Sequence, residues 1–100
     1  MIPADDFAMS PFCGRDSVSM HLTYGTDVKV EEFLHEFENA LAPFSPRPHW
    51  GKQFSDRFDI HGSFPIENWK RFDSIVKLHD PSTKKFVNKY LERCNLSYIN

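Results

Sequence analysis

One stretch of this chain alternates without a break, and it constrains the fold more than any other. From Ser17 to Tyr24, Val18, Met20, Leu22 and Tyr24 fall on one side, while Ser17, Ser19, His21 and Thr23 fall on the other. A period of two marks a β-strand with one covered face and one wet face. Gly25 ends the run. A lone strand is not stable, because its N–H and C=O groups need a neighbour. Only one further strand candidate is present, over 49–54. The expected class is α+β: part of an antiparallel sheet, with a strand about 17–24 and a second at 49–54, flanked by helices. So little sheet leaves edges for another chain segment to cover, which points to a piece of a larger architecture.

Three helices are expected around it. Thr26 or Asp27 can cap a segment in which Val30, Phe33, Leu34, Phe37 and Leu41 recur at three- and four-residue steps. That predicts a helix over about 28–41, stopped by Pro43. Pro65 suits a first helical turn, and Ile66, Trp69, Phe72, Ile75 and Val76 form a second apolar stripe, predicting a helix over about 65–78. Asp80-Pro81-Ser82 breaks it. A last helix, about 84–94, should turn Phe86, Val87, Tyr90, Leu91 and Cys94 inward. Residues 1–16 read as irregular, and 43–64 as a long functional loop rich in Pro, Gly, His and Phe. The chain shows no repeat and no internal domain boundary.

Composition sets outer limits. A chain of 100 residues makes one modest domain or part of a larger one. Its ten Phe, three Tyr and two Trp must dominate any core. A net charge of −2 leaves no basic footprint and argues against nucleic acid. Cys13 and Cys94 match no metal spacing, so free thiols in a reducing compartment are expected, with no metal site. No apolar run reaches ~18 residues, so no transmembrane segment is expected. The acidic start, Met1-Ile2-Pro3-Ala4-Asp5-Asp6, lacks the features of a signal peptide. These readings together predict a cytoplasmic chain.

The run Arg47-Pro48-His49-Trp50-Gly51-Lys52 carries the chemistry. Pro48 fixes its own φ and pushes Arg47 into an extended conformation. Gly51 permits a close backbone approach or a positive φ. Lys52 then places a mobile charge beside a flat aromatic surface. That combination suits a pocket for a planar, electron-rich group and a substrate oxygen that becomes negative. From the residues alone a plainer reading stands beside it: Trp50 fills the core while His49 and Lys52 face water. His21 and Thr23, two apart on one strand face, can reach a single ligand or merely line a wet edge.

Four blocks stand in order along the chain: Ala4-Asp5-Asp6 with Met9-Ser10-Pro11; Gly14-Arg15-Asp16-Ser17 running into His21-Leu22-Thr23; the Arg47–Lys52 run; and Asp80-Pro81 with Phe86, Asn88, Tyr90 and Leu91. Together they resemble the C-terminal part of the sugar-lactone and alditol oxidases, flavin enzymes of the vanillyl-alcohol-oxidase-like class. The resemblance covers nearly the whole chain, and its His-Trp-Gly-Lys block is the most specific part. It implies FAD as cofactor, held mainly by an FAD-binding domain absent from this chain. It implies that residues 1–100 are the C-terminal portion of a cap domain that closes over the flavin. The family's glycine-rich FAD loops, flavin-linking histidine and Glu-x-Arg pair are not here.

By that resemblance Lys52 is the catalytic lysine, stabilising alkoxide character on a sugar lactone or polyol as hydride leaves for the flavin. His21, Thr23 and Lys52 are implied to bind substrate, and His49 and Trp50 to line the flavin side. The implied reaction is oxidation of a CH–OH group with oxygen as final acceptor, although the isolated chain is expected to be inactive. Arg15-Asp16 is expected as an ion pair at the start of the strand. His79 is read as a basic residue favoured at a helix C-terminus. The competing reading is a stand-alone, non-catalytic α+β binding protein or decayed gene product.

Overall fold

The computed structural model describes residues 1–26, 29–81 and 85–94. Among the described residues there are three α-helices: α1 (Val30–Leu41), α2 (Ile66–His79) and α3 (Lys89–Arg93). A 3₁₀ turn, Ala42–Phe44, follows α1 directly, with Pro43 in its first turn and Ser45 closing it at φ 51°. Helices α1 and α2 lie where apolar periodicity puts them, within two residues at each end. Asp27, one of the two caps proposed for α1, and Ser82 lie outside the described residues.

The expected sheet does not form. Among the described residues there is no β-strand, only two isolated bridges, Ile2 with Ser17 (antiparallel) and Asp5 with Cys13 (parallel). The α+β class is therefore corrected to an all-helical arrangement with long irregular connections. Ser17 exchanges both backbone hydrogen bonds with Ile2, at 2.8 and 2.9 Å. Beyond it, residues 18–24 have no regular secondary structure, and Val18, Met20 and Leu22 are exposed. Alternation describes side chains, whereas a strand also requires a partner backbone, and none pairs with 18–24 among the described residues. The second candidate strand, 49–54, is a turn followed by irregular chain.

The third helix is also shorter than its apolar spacing suggests, five residues instead of 84–94. Two side chains explain its late start. The buried carboxylate of Asp80, just past α2, accepts the N–H groups of Lys85 (3.1 Å) and Phe86 (3.2 Å), holding them in a turn. Asn88 then caps α3, its side chain accepting from Leu91 N–H at 3.0 Å. Phe86, expected inside, is exposed as a result. Helix α2 ends with Lys77 and His79 in its last turn, where basic residues complement the carbonyl end. None of the described helices is long and apolar enough to cross a membrane.

The core is built around the irregular segment between α1 and α2. Phe54, Ile60 and Phe64 from that segment pack with Trp69 of α2 and with Cys94, which is only 1% exposed. Met9, Trp50, Phe58, Phe72, Tyr90 and Leu91 surround them. Helix α1 docks onto the same segment through two carboxylates seven residues apart, hence on one helix face. Glu38 accepts the N–H (2.7 Å) and the hydroxyl of Ser55, and Glu31 accepts the N–H of Asp56 (2.9 Å). From α3, Arg93 reaches the Phe54 carbonyl (2.8 Å) and pairs with Asp56 (2.8 Å). Every buried side-chain polar atom among the described residues is satisfied.

Candidate functional site

His49, Trp50, Gly51 and Lys52 make one tight turn. Lys52 N–H donates to the His49 carbonyl (3.0 Å), and Gly51 N–H donates to His49 Nδ1 (2.9 Å). Because Nδ1 accepts, a neutral His49 ring carries its proton on Nε2. A side chain at position 51 would put Cβ 3.2 Å from His49 Cε1. A larger residue there would make the imidazole give by a few tenths of an ångström, so the close approach at Gly51 is made by the protein's own ring.

Trp50 is held on every side. Its indole N–H donates to the Met9 carbonyl (2.7 Å), and its own carbonyl accepts the Tyr90 hydroxyl (2.6 Å). The ring stacks on Phe64 at 5.6 Å and 17°, and meets Trp69 edge-on at 6.3 Å. It is half-buried against the core, while His49 and Lys52 on either side of it are exposed. The Lys52 ammonium makes no hydrogen bond or ion pair among the described residues.

The turn is anchored from upstream by Arg47, whose importance the sequence reading did not bring out. Its guanidinium donates to the carbonyls of Ser63 (2.8 Å), Cys13 (2.8 Å) and Pro11 (3.3 Å) and lies over the Phe64 ring at 4.8 Å. Burial, reinforced by the nearby charge of Arg15, lowers its pKa from the ordinary arginine value. A fork of donors suits three carbonyls from two separate segments, which an ammonium would not span. Arg15 itself does not pair with Asp16. That carboxylate accepts the Ala4 N–H instead (2.9 Å), correcting the expected ion pair.

His21 and Thr23 are exposed and form no hydrogen bond among the described residues. With no strand there, no pleat sets them on a common face. One contact does tie their segment to the turn: the Tyr24 hydroxyl donates to the side-chain oxygen of Gln53, next to Lys52. The first resemblance block has a structural task, since Asp5 accepts the Ser10 hydroxyl (2.6 Å) and the Phe7 N–H (3.1 Å). His61 stacks on Trp69 at 4.5 Å and contacts the Cys94 carbonyl at 3.1 Å. No cluster of three or more metal-ligating side chains exists among the described residues.

The arrangement offers an ammonium and an imidazole N–H from one turn, with no carboxylate among the described residues bonded to either. Two such donors suit an oxygen-rich ligand, and an oxygen that gains negative charge above all. Residues 1–94 match the D-arabinono-1,4-lactone oxidase family. An alditol oxidase from a Streptomyces species is 34% identical over 92 residues, which is 90% of this chain and 21% of that protein. An L-gulonolactone oxidase from Scyliorhinus torazame is 34% identical over 97 residues, covering 92% of this chain and 21% of its own length. The chain therefore spans about a fifth of the curated relatives it matches. No solved structure matches it. With nearly the whole chain matched, the chain belongs to the D-arabinono-1,4-lactone oxidase family.

Proposed function

We propose that this chain is the substrate-side segment of an FAD-dependent oxidoreductase that oxidises a CH–OH group of a sugar lactone or alditol. The observation that carries the reading is the exposed, unpaired Lys52 ammonium on a turn whose backbone is tied down, inside the block most specific to the family. Lys52 donates to the reacting hydroxyl and stabilises its oxygen as negative charge develops there. His49 offers its Nε2–H from the same turn. Thr23 and His21 contribute contacts to further hydroxyls, their segment tied to this turn by the bond between Tyr24 and Gln53.

FAD fits this chain only in part. Helix α1 opens with Glu31 and Glu32 in its first turn and α2 with Glu67, so neither N-terminus welcomes a diphosphate. The sequence has no glycine-rich phosphate loop either. The exposed edge of the His49–Trp50 turn offers at most one wall for the flavin ring. A bound flavin supplies the hydride acceptor. The diphosphate belongs to a domain outside this chain. The chain alone is accordingly expected to lose FAD on desalting, and retained flavin absorbance would contradict this division of labour.

The test of Lys52 uses a chimera in which residues 1–94 replace the matching segment of alditol oxidase. Lys52→Ala is expected to slow flavin reduction by ~10²–10³, about 3–4 kcal/mol, with far less effect on substrate binding. Lys52→Arg should also be slow, since a planar fork does not replace a compact ammonium. Stopped-flow reduction with a polyol or sugar lactone reads both. A Lys52→Ala chimera reducing its flavin at the parent rate at saturating substrate would make Lys52 a surface residue and overturn the reading.

A further inference from the structure

The Trp50–Gly51 peptide sits at the centre of the turn that ends in Lys52, and both of its polar atoms are occupied. Its carbonyl accepts the hydroxyl of Tyr90, 40 residues away on α3, at 2.6 Å. Its N–H donates to His49 Nδ1 at 2.9 Å. A peptide plane bonded at both ends cannot rotate without losing both bonds. Rotation of that plane would redirect the next residue, which is Lys52. We propose that Tyr90 is a positioning residue: by holding this peptide plane it makes the turn present the Lys52 ammonium to the substrate oxygen. The proposal rests on the role given to Lys52 above.

Tyr90 is well set for this task. Its ring packs edge-on against Phe54 at 6.5 Å, within the core. Asn88 caps α3 two residues earlier, so the helix carrying the phenol is itself fixed at its start. Burial, with the neighbouring Cys94 adding and Arg93 opposing, raises the phenol pKa above its ordinary value. Water could satisfy the Trp50 carbonyl in its place, but water would not hold it to α3.

Two measurements on Tyr90→Phe, which keeps the ring and removes only the hydroxyl, test the idea. The first needs no flavin: amide hydrogen exchange in the chain itself. Exchange at Lys52 N–H, bonded to the His49 carbonyl, should quicken about tenfold, while Ile2 and Ser17 N–H keep their rates. Unchanged exchange at Lys52, or an equal rise at all three sites, overturns the proposal. The second is flavin reduction in the alditol oxidase chimera. Tyr90→Phe should cut the rate at saturating substrate about tenfold, with substrate affinity changed less than about twofold. In a Lys52→Ala background the same substitution should change nothing further. Its full effect persisting there would show that Tyr90 does not act through Lys52. A conservative control, 3-fluorotyrosine at position 90, retains the hydroxyl and should restore both readouts; failure to do so also overturns the proposal. Should Lys52→Ala leave the rate intact while Tyr90→Phe still loosens the turn, the role of Lys52 falls and the tether stands.

Discussion

Residues 47–64 and residues 17–24 are both largely irregular, yet they are held in opposite ways. The first segment is tied by its side chains. Arg47 binds three carbonyls, Trp50 is pinned at its indole and its carbonyl, and Phe54, Ile60 and Phe64 lie in the core. The second is tied at its two ends, by the Ile2–Ser17 bridge and by the bond from Tyr24 to Gln53. Between those ends Val18 and Met20 are 73% and 61% exposed, so of the apolar row only Tyr24, edge-on against Phe33 at 6.2 Å, has a ring contact among the described residues. Lack of regular secondary structure therefore says little about how firmly a segment is held. Buried contacts and satisfied backbone groups decide that.

Substitutions can break this contrast, and the largest effect is expected in the core. Trp69 is 3% exposed, stacked on His61 and donating to the His61 carbonyl at 3.0 Å. Trp69→Ala should cost about 3–5 kcal/mol, enough to abolish a cooperative urea transition in a chain this small. A transition retained at the parent midpoint would mean that the aromatic cluster is not the core. Next comes Arg47→Met, which keeps a long apolar stem and removes the fork. Losing these charged hydrogen bonds should cost about 2 kcal/mol, read as a lower urea midpoint. A midpoint within error of the parent would show the tie to be ornamental. The smallest effect belongs to the other segment: Met20→Ser should move the midpoint by no more than about 0.5 kcal/mol. A loss above about 1 kcal/mol would mean that Met20 is covered after all, and the contrast would fail.

The legibility of the chain follows the same division. Helices α1 and α2 were readable because 3.6-residue periodicity is local and long, and Pro43 and Pro65 mark their limits. The sheet was misread because alternation at 17–24 reports only which side chains prefer cover. Whether a partner backbone exists is a non-local fact, and apolar spacing does not contain it. Helix α3 was overextended for a related reason, since Asp80 and Asn88 spend their side chains on backbone N–H groups that periodicity ignores. Asn88 was the findable signal, being an N-cap residue type three positions before a bonded N–H. At the site, Lys52, His49 and Trp50 stood out by residue type and order. The Arg47 ties to Pro11 and Cys13 and the Tyr90 tether join residues 34 to 40 positions apart, and no spacing rule reaches that far.

The placement of the two indoles also determines what an optical experiment on this chain observes. Trp50 and Trp69 are the chain's only tryptophans, and they sit 6.3 Å apart at nearly a right angle in the aromatic cluster. Emission excited at the red edge of tryptophan absorption therefore comes wholly from that cluster, and the perpendicular pair gives the near-ultraviolet dichroism a strong, conformation-sensitive source. Residues 17–24 contribute no indole. A change confined to them, including their capture by another polypeptide, leaves the tryptophan emission untouched and has to be followed through Tyr24 or a label placed on that segment.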